Sequence, residues 1–588
     1  MIINNLYNKD EEITIESYLL KNDIKDISEF INPTGKYIDN YSSYNNMDKA
    51  VKELKKHYEN NEDKVFIIQD PDVDGIVSST ILYQYLKALR EDWDINILMH
   101  TGKQRGISDI DIFKKIKEEK PNLVIVPDAG SNDKEQIDEL CNLGISYIAL
   151  DHHIISTPSD YGILVNNQDE NSKVSKKGSG GLVTHKFLEA LDNEFNKEWS
   201  SWFIDMVALS LLSDSMDMSD QQNRTYYHYG LETMDCVNNI FLKECIKTFI
   251  NKNTYSQNNI FLKECIKTFI NKDTYSQRDL SFKVIPKFNA ICRSKDQELK
   301  QKLFLSFIGE YDISDMLVLC EEAHKKQQKT VASIINNNIG TIKKANKNNI
   351  VVFYSDDIPS SYSGLVGGKM MSICDNKPCI AGSIEDGYFL GSLRSPIPLG
   401  EELDNNEFVE WARGHEKACG IKIKEENIDK LVEYYNNVTL DYTPHIDVLN
   451  SYSIKSIPND LFGLFEPYNS LFGKGLPKPK YYVKDIIINP KTDIFILGAN
   501  RRTLKIRYNN IDIMIFNSTN QERLDLGLVK EEDKFVYDPK DIKLNLSVIG
   551  EFVVNKWTSK YGKVNKNNQI IVDKFEVSKI KTVKDIFK

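Results

Sequence analysis

Along the first third of the chain, short apolar runs alternate with stretches of helical spacing, and several of the runs stop abruptly at acids. Residues 65–68 lead into Asp70-Pro71-Asp72-Val73-Asp74-Gly75, residues 123–126 into Asp128, residues 145–150 into Asp151-His152-His153, and residues 203–212 into Asp214. Strand-type runs alternating with helices from residue 64 to about 213 predict βαβ units around a parallel sheet. The C-terminal ends of such strands share one edge, where ligands bind. Asp72 and Asp74, two apart in an extended segment, are expected to point the same way, with Gly75 turning the chain into a helix near Val77.

The later pattern divides the rest. Residues 1–60 read as a polar helical segment, 61–293 as the parallel-sheet lobe, and 294–345 as a charged connecting helix. Residues 346–445 read as a second α/β lobe. In 446–588, dense short β-runs after a linker predict a small barrel.

A chain of 588 residues exceeds one hydrophobic core. With 41% hydrophobic and 27% charged residues it reads as an ordinary globular protein, and it holds no eighteen-residue apolar run to span a membrane. Nine cysteines without a Cys-x-x-Cys pair argue for a reduced compartment and against a zinc ribbon. The N-terminus has no basic start and apolar block, so a cytoplasmic location, host cytoplasm for a viral protein, is expected. The net charge of −11 is uneven: residues 471–588 hold 23 Lys and Arg against 14 Asp and Glu. That asymmetry suggests a basic binding module on an acidic body. Acids gathered at one edge repel unless cations neutralise them, and oxygen with imidazole suits Mn²⁺ or Mg²⁺. The pattern therefore reads as a two-metal hydrolytic site.

In order, these segments resemble the DHH phosphoesterase superfamily and specifically its RecJ-type single-strand exonucleases, from about residue 47 to about 555. The Asp70–Gly75 stretch resembles the first motif, Asp128 the second, Asp151-His152-His153 the third, Ser179-Gly180-Gly181 the small-residue turn, and Asp205 to Asp214 with Asn223-Arg224 the fourth. Pro286 to Ala290 with Arg293 resembles a RecJ segment. Gly391-Ser392-Leu393-Arg394-Ser395 and Gly414-His415 to Gly420 resemble the phosphate-binding segments of a DHH-associated domain. The resemblance implies an α/β fold with a parallel-sheet lobe, a long connecting helix, a second α/β lobe and a C-terminal OB-fold. It implies two Mn²⁺ or Mg²⁺ ions on Asp70, Asp72, Asp74, Asp128, His152 and Asp214, with Asp151 orienting an imidazole and His153 at the phosphate. Ser179, Asn289, Arg293, Ser392, Arg394, Ser395, Gly414 and His415 are the implied substrate contacts, and Arg501, Arg502, Lys505 and Arg507 the OB-fold contacts.

The implied activity is 5′→3′ hydrolysis of single-stranded DNA by a monomer, with replication or recombination proteins as partners and no membrane. Pro71 stands where the RecJ branch usually has an aromatic, which keeps open a phosphodiesterase for short oligonucleotides or cyclic dinucleotides. An inactive replication scaffold is the third reading, and the complete acids argue against it. Residues 238–257 recur at 258–277 with one change, Asn253 to Asp273. That is a recent tandem duplication rather than a solenoid, with Ile240, Phe241, Ile246, Phe249 and Ile250 expected on one helical face.

Overall fold

The computed structural model describes residues 2–8, 11–60, 63–101, 105–251, 275–440, 445–498, 501–531, 534–537, 543–558 and 564–580. The chain forms two compact units, Asn32–Tyr442 and Met1–Ile31 together with Thr443–Lys588. The expected boundary at residue 60 therefore gives way to one at Ile31. The first thirty-one residues (β1, Ile2–Asn5; α1, Ile15–Lys21; α2, Ile27–Ile31) cluster with the C-terminal part. Nor is this segment purely helical. β1 is a strand because His445 to Val448 offer a parallel partner that no local pattern announces.

The larger unit continues with α3 (Met47–Glu59), β2 (Val65–Gln69), α4 (Val73–Leu89), β3 (Ile95–Met99), α5 (Ile110–Glu119), β4 (Leu123–Pro127), α6 (Lys134–Asn142), β5 (Ser146–Asp151) and β6 (Ile163–Asn166). These strands form one parallel sheet in the order β3-β2-β4-β5-β6. β2 and β4 are buried along their whole length, which is why they read as unbroken apolar runs rather than alternating ones. α7 (Gly180–Phe195), α8 (Ile204–Ser213) and α9 (Gln221–Leu231) follow, and α4 packs against α7 and α8 in the main core. The run before Asp214 is thus a helix. A ten-residue apolar run fits a buried helix as well as a strand, and tertiary packing decides between them.

α10 (Ile240–Asn251) is the first copy of the duplication. Phe241, Leu242, Cys245, Ile246 and Phe249 are buried, and Phe241 packs on Phe288 and Phe307 at ring distances of 5.7 and 5.0 Å. Ile240, expected on that face, is 70% exposed. Of the second copy only Tyr275 to Gln277 lie within the described residues, so Phe261, Ile266, Phe269 and Ile270 fall outside them.

The connecting segment consists of several helices, including Gln297–Phe307 and the 25-residue Ile313–Asn337. The second lobe is a five-stranded sheet, β10-β11-β9-β8-β7. Its strands are β7 (Val351–Tyr354), β8 (Cys379–Glu385), β9 (Tyr388–Arg394), β10 (Val409–His415) and β11 (Ala418–Lys424), antiparallel except for β7 with β8.

In the smaller unit, β12 is His445–Val448, and seven strands order as β13-β14-β20-β21-β17-β16-β15. They are β13 (Ser451–Ser453), β14 (Tyr481–Ile488), β15 (Ile494–Leu497), β16 (Thr503–Tyr508), β17 (Ile511–Ile515), β20 (Leu544–Thr558) and β21 (Val564–Lys579); β18 (Leu528–Glu531) and β19 (Lys534–Tyr537) form a separate hairpin. Among the described residues β13 and β15 do not pair, so the ladder is an open sheet rather than the expected closed barrel. Strand count and turn spacing suggest a barrel, but closure depends on an end-to-end pairing that local pattern cannot encode.

Candidate active site

Three of the acidic segments meet at the C-terminal edge of the parallel sheet, and Asp214 reaches the same place as the C-cap of α8. Asp70 follows β2. Asp72 caps α4, its Oδ1 accepting from Gly75 N at 3.1 Å, and Asp74 lies in that helix's first turn. The two carboxylates are thus set by a helix start, not by the expected extended segment, and the helix begins at Val73 rather than near Val77. Glycine is required at Gly75 because a Cβ there would strike the Asp70 backbone.

The N-terminus of α7 holds Asp74. Gly180 N donates to its Oδ2 at 2.8 Å and Gly181 N to its Oδ1 at 2.9 Å, and the Ser210 hydroxyl also bonds it. Backbone N–H groups at a helix start point at an anion, and here they hold both oxygens of Asp74 in place. A Cβ on Gly180 would collide with Asp128, so the small-residue turn lets α7 approach the acids. Ser179, expected at the substrate, is wholly buried. Its Oγ caps Leu182 N and bonds Ser210, so it supports Asp74 from behind.

His152 Nε2 lies 3.1 Å from Asp128 Oδ1, 3.6 Å from Asp214 Oδ2 and 3.8 Å from Asp74 Oδ2. Asp70, Asp72 and Asp128 form an adjoining group whose donor atoms, like those of Asp74, His152 and Asp214, lie within 4.8 Å of one another. The carboxylate oxygens of Asp70 and Asp128 are buried without a hydrogen-bond partner. Burial, and then the Asp74 and Asp72 charges, hold the Asp128 carboxyl well above the usual range and push Asp214 up to about 7. Asp70 rises to about 8, mostly through burial, against the pull of Arg105. Orphaned, mutually repelling oxygens beside an imidazole mark a site short of positive charge, and this donor set fits Mn²⁺ or Mg²⁺.

Asp151 is saturated. Its Oδ1 accepts from His152 N, His153 N and His153 Nδ1 at 2.7, 3.1 and 2.8 Å, and its Oδ2 from Ser131 N at 3.1 Å. Burial opposes ionisation, but the side-chain and backbone hydrogen bonds from His153 outweigh it and hold the carboxyl far below its ordinary value.

Sequence reasoning missed Arg105. Its Nη2 stands 2.8 Å from Asp72 Oδ2, its Nε 3.3 Å from Asp70 Oδ2, and its Nη1 2.7 Å from His153 Nε2. Nη1 can donate only to an unprotonated Nε2, so the ring proton sits on Nδ1 and is donated to Asp151. The available signal was the apolar run ending at Met99, a further strand end on the same edge.

Asn289 and Arg293 lie at the end of the helix Ile285–Cys292. Asn289 Oδ1 is buried without a partner, and the Arg293 charge is felt at both Asp72 and Arg394. Arg394 ends β9 and donates from Nη1 to its neighbour Leu393 O at 2.7 Å. Ser392 Oγ is 2.8 Å from Ser363 Oγ, and Ser395 Oγ donates to Ile397 O at 2.6 Å, so both hydroxyls have protein partners. Gly414, at φ +134, and the exposed His415 close the β10–β11 hairpin. In the smaller unit, Arg501 and Arg502 are exposed before β16, while Lys505 and Arg507 both pair with Asp512.

Residues 64–211, which carry Asp70, Asp72, Asp74, Asp128, Asp151 and His152 and end just before Asp214, match the DHH family, N-terminal domain. More particularly, the chain is 26% identical over 557 residues to YorK of Bacillus subtilis (strain 168), a prophage-derived protein whose name describes a single-strand DNA-specific exonuclease; the match covers 88% of this chain and 90% of that one. It is 23% identical over 516 residues to the single-stranded-DNA-specific exonuclease RecJ of the same bacterium, across 85% of this chain and 60% of RecJ. The fold matches the Mn²⁺-bound RecJ of Thermus thermophilus with a TM-score of 0.70 and 17% identity, over 99% of this chain and 80% of that one.

Proposed function

We propose that the chain is a RecJ-like exonuclease that hydrolyses phosphodiester bonds of single-stranded DNA from the 5′ end. The observation that carries this reading is the pair of buried carboxylates, Asp70 and Asp128, whose oxygens have no hydrogen-bond partner beside Asp72, Asp74, Asp214 and His152.

Asp70, Asp72, Asp74, Asp128, His152 and Asp214 would hold two divalent cations. When bound, these supply charge neutralisation at the scissile phosphate and a water acidic enough to attack it. The protein's own part is positioning. The α7 N-terminus fixes the Asp74 carboxyl in place, and Asp151 holds His153 with its proton on Nδ1. Arg105, Arg293 and Arg394 supply guanidinium forks for phosphate oxygens, with His415 and the Gly414 backbone at the neighbouring nucleotide. In the smaller unit, Arg501 and Arg502, exposed before β16, would contact the phosphates of the incoming strand.

The test is digestion of short and long single strands, labelled at either end, with Mn²⁺ or Mg²⁺. Stepwise loss from the 5′ end supports the reading. No metal-dependent cleavage of either length overturns it, and cleavage confined to the shortest strands favours the oligonucleotide phosphodiesterase.

A further inference from the structure

Of the basic residues that sequence assigns to the smaller unit, Lys505 and Arg507 are already engaged by a carboxylate. Strand register sets Arg507 opposite Asp512, Asp512 opposite Gln569, Asn555 opposite Asn567, and Trp557 two residues beyond Asn555 on the same face. These side chains line a groove of about 930 Å³. Asp512 is buried there. Lys505 Nζ stands 2.7 Å from its Oδ2 and Arg507 Nε 3.2 Å from its Oδ1, while Asn567 Nδ2 donates to Oδ2 at 2.6 Å. One carboxylate thus engages two cations and an amide, and of the lining cations it leaves Lys566 to meet a phosphate.

Most of what the groove offers is carboxamide and indole. Trp557 is 46% exposed, a large area to leave in water at a strand position. Asn555 is exposed and Gln569 half-buried beside it. A carboxamide carries a donor and an acceptor side by side, the pairing that matches a base edge, and an indole face stacks on any base.

We propose that this groove takes unstacked nucleobases of the single strand and distinguishes among them, with Trp557 as the stacking platform and Asn555 and Gln569 reading the edges. The substrate is then held by its bases here and by its phosphates elsewhere, giving the chain a composition preference. This rests on the single-strand reading of the substrate but not on the hydrolytic step.

The test uses the full chain without divalent metal, so that no strand is cut, and labelled homopolymers of dA, dC and dT at low and high salt. The expected result is a difference of about tenfold or more between homopolymers, the scale of base-edge discrimination. It should persist at high salt because contacts between neutral groups release no counterions. Trp557→Ala should weaken binding of every homopolymer by about tenfold, and Trp557→Phe should restore most of it. Asn555→Ala with Gln569→Ala should instead level the homopolymers. Equal homopolymer affinities in the unaltered chain, or a Trp557→Ala protein that binds unchanged, would overturn the proposal. Mn²⁺-dependent cleavage of the shortest strands should be the same in all these variants. A chain that binds selectively but never cleaves would defeat the hydrolytic reading and leave this one standing.

Discussion

Arg105 Nη2 lies 2.8 Å from Asp72 Oδ2, inside the cluster of acids that would hold metal. The same guanidinium reaches Asp70 and His153, so a side chain from the loop after β3 neutralises part of the charge that a cation would neutralise. Guanidinium and cation therefore compete for the same oxygens.

Replacing Arg105 with Ala is accordingly expected to do two opposite things. Mn²⁺ affinity, measured by calorimetric titration, should rise several-fold because the competitor is gone. Cleavage of single strands should fall by at least about tenfold, through KM, because a phosphate ligand is lost. Weaker metal binding in the variant would mean that Arg105 organises the acids instead of competing for them.

Asp128→Asn should abolish metal-dependent cleavage and leave the fold intact. Asp128 sits at φ +68, a left-handed conformation that Asn adopts readily, and its carboxyl oxygens are buried without a hydrogen-bond partner. Without metal the variant should melt no lower than the parent, since a repelling carboxylate has been removed. The upward shift in Tm on adding Mn²⁺ should disappear. A shift of undiminished size would exclude Asp128 as a ligand.

Gly364 should behave as a positioning residue for Arg394. A Cβ at Gly364 would strike the Arg394 guanidinium, the movable end of a long side chain, so Gly364→Ala displaces the fork without straining the backbone. The variant should match Arg394→Ala in its loss of affinity for single strands while its Tm stays within about 2 °C of the parent. Normal affinity in Gly364→Ala would place the phosphate contact elsewhere.

These tests fall on residues of unequal legibility. Asp70, Asp72, Asp128, Asp151 and His152 could be read because buried parallel strands are unbroken apolar runs, and an acid ending such a run stands out. Asp74 was read for its spacing, though a helix start and the α7 amides fix it. Arg105 was hidden because no periodicity in the sequence marks it and only tertiary folding brings its side chain to the acids. The long β20–β21 hairpin was hardly visible, since its solvent-facing stretch from Val564 to Gln569 carries few apolar residues and lacks a strand's usual alternation.

The duplication offers a test of how the fold absorbs repeated sequence. α10 fills the core from the first copy, while Tyr275 and Gln277 of the second are buried and Ser276 caps the next turn. Deleting residues 258–277 joins Gln257 to Arg278, so that Tyr255, Ser256 and Gln257 take the places of identical residues. The deletion should fold with a similar Tm and cleave single strands within a few-fold of the parent. Loss of cleavage in a folded deletion variant would show that the repeat shapes the substrate path.

Acid stability should depend on Glu189. Burial raises its pKa, but the His185 hydrogen bond and charge and the Lys186 ammonium outweigh it and hold the carboxyl at about 2. The ordinary value is 4.5, so the stabilisation is complete above that pH and is lost as pH falls toward about 2. It amounts to at most about 3 kcal/mol. Urea unfolding should show Glu189→Gln less stable than the parent at neutral pH, with the gap closing in acid. A gap independent of pH would assign the effect to packing.

The smaller unit has a further consequence for how the protein is made. Tyr18 donates to Pro477 O at 2.6 Å and packs edge-on against Phe465 at 5.7 Å, and Tyr7, Leu19 and Phe30 enter the same core. A ribosome delivers these side chains first and their partners last, with residues 32–442 emerging in between. Throughout that interval the nascent N-terminus carries apolar side chains with no core to enter, while the hydrolytic unit can already close. The newborn chain thus acquires its candidate cutting site before its candidate strand-gripping surface. Fusions at the N-terminus, which burden the segment that waits longest, should lower the yield of folded protein more than fusions at the C-terminus.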